Sequence, residues 1–87
     1  MLKVGLRRVN VKRIVEKSFE DAIPYIHNIE WLEKFINKNI KPLKNLESII
    51  LVIEEEMKRA NEITKKTDLK IFLHYLKRNS QMEYLEV

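Results

Sequence analysis

Among its 87 residues the chain has no cysteine, one glycine, two prolines and one tryptophan. The missing cysteine excludes disulfide frameworks, thiolate zinc sites and cysteine nucleophiles. Average usage would give about six glycines, and a single one, Gly5, leaves almost no position for a left-handed turn. Glycine-rich phosphate loops, dinucleotide fingerprints and tight primed hairpins are therefore out of reach. The longest purely apolar run is Ile49 to Ile53, far short of a bilayer span. The N-terminus carries no long apolar stretch of the kind a secretory signal needs, so the expected location is cytoplasmic, with no membrane partner.

What is present is charge and apolar surface in helical patterns. The apolar fraction is 45% and the charged fraction 34%, which suits one small globular domain. The excess of Lys and Glu, with little Gln, is compatible with a thermophilic source. The division expected is a basic N-terminal arm over 1–9 and a single helical domain over 10–87. In the arm, Leu2, Val4 and Leu6 alternate with polar residues, and a strand there could pair only with Glu83–Val87.

From Val11 the apolar residues follow the i, i+3, i+4, i+7 stripe of an amphipathic helix, with Asn10 as N-cap. Pro24 should end or kink it near Ala22. A second helix places Ile29, Leu32, Phe35, Ile36 and Ile40 on its core face, with Asn28 at its start and Asn37 or Asn39 in a left-handed end. After Pro42, which suits a first turn, Leu43, Leu46, Ile50, Ile53, Met57, Ala60 and Thr64 make a heptad seam over a central helix of about 43–65. Glu54–Lys58, Glu55–Arg59 and Glu62–Lys66 are spaced to form ion pairs along it. Thr67 or Asp68 then caps a helix with Leu69, Phe72, Leu73 and Leu76 on its core face and Lys77 and Arg78 in its last turn. Ser80–Glu83 has the form of a further capping box. The fold expected is all-α, three to four helices around that central one.

Little of this supports catalysis. The serines Ser18, Ser48 and Ser80 fall where caps or turns would use them, and none has a nucleophile-elbow context. His27 has only carboxylates at helical spacing, and His74 has lysines that would repel a cation. No enzyme, cofactor or metal site is expected.

The charge distribution says more. The formal net charge is +4, but the cations fall in three blocks. The first is Lys3, Arg7, Arg8, Lys12, Arg13 and Lys17; the second Lys34, Lys38, Lys41 and Lys44; the third Lys65, Lys66, Lys70, Lys77 and Arg78. If these converge they form a surface that tracks phosphates of DNA or RNA. The first contacts expected are Arg7, Arg8, Lys12, Arg13, Lys17, Lys65, Lys66 and Lys70. No helix-turn-helix turn is legible, and Tyr25, Trp31, Tyr75 and Tyr84 look scattered along core stripes rather than grouped. The rival expectation is a protein interaction module, a homodimer or small subunit joined through Leu43, Leu46, Ile50, Ile53 and Met57.

Overall fold

Asn10 opens the first helix as its sequence demands: the side-chain oxygen accepts the backbone N–H of Arg13 at 3.0 Å. In the computed structural model, which describes residues 10–85 and the side chains of 10–81, this helix, α1, runs Val11–Ala22. Ile14, Val15, Ser18 and Ala22 form its buried face. Pro24 stops it, and the chain leaves through a 3₁₀ turn, Ile23–Tyr25.

Helix α2, Ile29–Phe35, buries Leu32 and Phe35 and passes directly into a π-turn, Ile36–Ile40. The turn is closed by the Lys41 N–H donating to the Ile36 carbonyl at 2.9 Å, a five-residue step that widens the helix. Ile36 and Ile40 both reach the core as a result. This π-turn stands where a left-handed asparagine end was expected: Lys41 stays right-handed, and the Asn39 amide donates back to the Phe35 carbonyl at 3.2 Å.

Helix α3 is shorter than its seam. It runs Leu46–Arg59, capped by Asn45, whose side chain accepts from the N–H groups of Glu47 and Ser48. Pro42 and Leu43 lie in the turn before it, and Ala60 takes an extended conformation after it. The chain must reverse at Ala60 for the strongly apolar face Leu69–Leu76 to reach the core, so tertiary burial overrides a locally continuous helical pattern. The i,i+4 pairs along it also do not form as spaced. Glu56 holds Arg59 at 2.7 Å, and Glu62 holds Lys65 at 3.2 Å, both i,i+3.

Helix α4, Ile63–Leu85, absorbs both capping signals. Asp68 lies inside it and is fully buried, and Ser80 donates to the Lys77 carbonyl within an unbroken helix. Lys77 and Arg78 are accordingly in its middle rather than its last turn. The fold is all-α, a bundle of four helices, with no strand among the described residues. Residues 83–85 are helical, so they are no strand partner for residues 1–9, and the arm itself lies outside the described residues.

The core joins Ile14, Val15 and Ala22 of α1 to Leu32 and Phe35 of α2, Ile36 and Ile40 of the π-turn, Ile49 and Ile53 of α3, and Leu69, Phe72, Leu73 and Leu76 of α4. Burying a side chain of this size contributes roughly 1.5–3 kcal/mol. Of the seam, Ile53 is fully buried, while Leu43, Leu46, Ile50 and Met57 are half-buried against the core. They are thus largely used within the chain. The apolar residue that α3 leaves outside is Leu51, 60% exposed.

Candidate nucleic-acid interface

Side-chain contacts fix how α1 and α4 run. Ser18 and Asp21 meet Asn79, Tyr25 meets Tyr75, and Asn28 meets Asp68 and Thr64. Positions rise along one segment as they fall along the other, so the two are antiparallel. Lys17 therefore lies level with Arg78 and Asn79, in the last third of α4, whereas Lys65 and Lys66 sit about 20 Å away toward its start. Lys12 and Arg13 lie further still in the opposite direction. The six cations expected to act first, within the described residues, do not gather at one point. Arg7 and Arg8 lie outside the described residues.

Other groupings form instead. Lys12 meets the second block: with Lys41 and Lys44 it rims a cleft of about 540 Å³ floored by Val11, Val15, Ile40 and Leu43. Lys17 is 3.8 Å from Asp21 and shares a groove with Arg78. Lys65 is engaged twice, by Glu62 and by the ring of Trp31, whose centroid is 5.0 Å from its ammonium.

The exposed side of α4 carries a more regular pattern. Lys66, Lys70, His74 and Arg78 are all exposed and stand four residues apart, so they form one row with about 6 Å between steps. Beside the row lies an aromatic pair that sequence reasoning missed. Tyr25 stacks on Tyr75 with centroids 6.2 Å apart and planes 18° from parallel. His74 meets the Tyr75 ring edge-on at 5.2 Å. Tyr25, Lys70, Ile71, His74 and Tyr75 line a shallow groove of about 410 Å³. A second groove, of about 500 Å³, shares both tyrosines and continues past Arg78 to Lys17, with Glu20 and Asp21 on its far side. The cationic border is therefore the α4 side, and the α1 side is mixed in sign.

Local chemistry explains why Tyr25 stands out. It directly follows Pro24, so it leaves the α1 stripe and is 59% exposed. The chain just after it is pinned. Asp68 accepts the N–H of His27 at 2.9 Å, the N–H of Asn28 at 2.6 Å and the Asn28 side-chain amide at 3.0 Å. Its carboxylate thereby pins, from a different helix, the two residues just before α2, whose first turn has no side-chain cap; negative charge there also suits the helix dipole. The Asn28 side chain, expected as that cap, donates to Asp68 and Thr64 instead. The available signal for the platform was Pro24, since a ring placed immediately after a helix-stopping proline cannot join the stripe.

Among the described residues no group of three or more His, Cys, Asp or Glu is placed to hold a metal ion, and no helix is long and apolar enough to cross a membrane. Comparison with known proteins places the chain in a family without assigning it an activity. Residues 12–81 match the family model named MJ1579. The chain is 34% identical over 65 residues to the uncharacterized protein MJ1579 of the thermophilic archaeon Methanocaldococcus jannaschii, covering 75% of this chain and 87% of that protein. No solved structure matches it. The chain belongs to the MJ1579 family.

Proposed function

We propose that this member of the MJ1579 family is a non-enzymatic nucleic-acid-binding protein of the cytoplasm, which holds phosphates along the exposed face of α4. The observation that carries the reading is the row Lys66, Lys70, His74 and Arg78, four residues apart and open to solvent. None of Lys66, Lys70 and Arg78 is ion-paired among the described residues, so their charge is not spent internally. A rigid helix presenting cations at even steps can neutralise successive phosphates of one strand, and each one neutralised releases counterions.

Fluorescence anisotropy with an oligonucleotide of about 20–30 residues, at about 50 and 200 mM salt, tests it. Three phosphate contacts predict a loss of affinity on the order of 20-fold between the two conditions. The triple variant Lys66→Glu, Lys70→Glu, Arg78→Glu should bind too weakly to measure. Absence of binding at the lower salt refutes the proposal.

A second reading, association with another protein or a second copy of the chain, is favoured by one observation: Leu51 is 60% exposed between the half-buried Ile50 and Val52. Sedimentation at increasing concentration distinguishes it, since an apolar interface is nearly indifferent to salt and Leu51→Glu would dissolve it.

A further inference from the structure

The geometry points to a single strand, with one unpaired base lying on the Tyr25 ring, as the nucleic acid this surface takes; the inference rests on the phosphate-binding reading above and deepens it. Three observations combine. Tyr25 is 59% exposed, an unusual place for a large ring in a chain with only seven aromatic residues (one Trp, three Tyr and three Phe). Its ring is already ordered, because Tyr75 backs it at 6.2 Å and 18° and His74 in turn packs edge-on to Tyr75. The platform also opens between two cations of the row, Lys70 bordering one side and Arg78 the other.

Each element has a separate use. Lys70 and Arg78 are eight residues apart on α4, about 12 Å along its axis and about 80° apart around it, so they address phosphates on either side of a nucleotide rather than one phosphate together. Tyr25 lies between them along the chain direction, level with Tyr75. A base whose flanking phosphates sit on those cations is brought over the ring. Because the stack of Tyr25 on Tyr75 is preformed, the base completes an aromatic pile without ordering a loose side chain first. Stacking is available to every unpaired base and to none inside a duplex, where both faces are already covered by neighbours. The cations alone would accept either form. The ring makes the surface prefer a single strand, without marked preference for sequence.

The test compares a single strand of about twelve nucleotides with the corresponding duplex, by anisotropy, for the wild type and for Tyr25→Ala and Tyr25→Phe. The wild type should bind the single strand about ten-fold or more tightly than the duplex. Tyr25→Ala should lose on the order of ten-fold on the single strand and nothing on the duplex, with the salt slope unchanged, because no charge is removed. Tyr25→Phe should keep the wild-type affinity, since a phenyl ring stacks as well. Circular dichroism of each variant checks that the fold is intact. Salt-dependent binding that favours the duplex, or that Tyr25→Ala leaves unaltered on the single strand, overturns the stacking inference and leaves the phosphate row standing. No binding of either form overturns both, and self-association through the tyrosines in the same buffer would then identify the platform as a protein contact.

Discussion

Two places on α4 take polar side chains into the interior, and they are built differently. Near its start, Asp68 buries a carboxylate completely and spends it on the backbone of another segment, the N–H groups of His27 and Asn28. Three turns later, Asn79 buries a neutral amide and spends it on side chains, donating to Ser18 at 3.0 Å and to Asp21 at 3.2 Å. Between them the buried face of the helix is apolar, with Leu69, Phe72, Leu73 and Leu76 facing the core. Apolar side chains in such a stripe tolerate small slides along the helix axis, whereas hydrogen bonds do not. The two polar ends thus fix the register of α4 against α1 and the connection after it. They differ in consequence: the amide can lose one partner and keep the other, but removing the carboxylate strands two backbone donors at once. Among the described residues no buried side-chain polar atom lacks a partner, so both ends are fully satisfied as built.

Asp68→Ala should cost about 3 kcal/mol, since two N–H groups lose their acceptor in a half-buried connection; urea titration would read it, and a cost under about 1 kcal/mol would mean that water replaces the carboxylate. Asn79→Ala should cost less, roughly 1–2 kcal/mol. Ser18→Ala should cost about 1 kcal/mol or less, because Asp21 still accepts from Asn79. Asp68 and Asn79 stand about 16 Å apart along the helix, so their effects should add to within about 0.5 kcal/mol in the double variant. Tyr25→Ala should leave stability within about 0.5 kcal/mol while changing binding, which separates the surface of α4 from its interior.

Much of the fold is legible locally. Asn10 and Pro24 bound α1 in the sequence and in the structure, and the stripe Leu69, Phe72, Leu73 and Leu76 is buried as its spacing requires. Where reading fails, a distant contact overrides a nearby signal. Asp68 has the sequence of an N-cap, but its carboxylate holds the chain just before α2, some forty positions earlier. The heptad seam continues unbroken through Ala60, yet the chain reverses there because α4 has a larger apolar face to bury. Periodicity measures what a helix could be, and it carries no information about which of two consecutive helices wins a residue.

The candidate site is legible only in part. The third cationic block supplies the cations of the row on α4, Lys66, Lys70 and Arg78, although Arg78 reads in the sequence as part of a helix end. The outward place of Tyr25 after Pro24 could be read, but its stack on Tyr75 could not, because the two are fifty positions apart and meet only after α1 and α4 pack antiparallel. Lys12, Lys41 and Lys44 likewise come together from segments that sequence treats as separate.

The clasp of Asp68 on His27 and Asn28 also sets a clock for the molecule. These two amides lie in the connection before α2, the kind of segment whose protons normally trade with solvent almost at once. Here they point at a carboxylate on the longest helix, so deuterium can enter only when α4 lifts away from that connection. Their exchange rate should therefore match that of the α4 interior rather than of neighbouring turns. Two loop amides thus report on the opening of the whole bundle, and on how firmly Tyr25, two and three residues before them, is held in place.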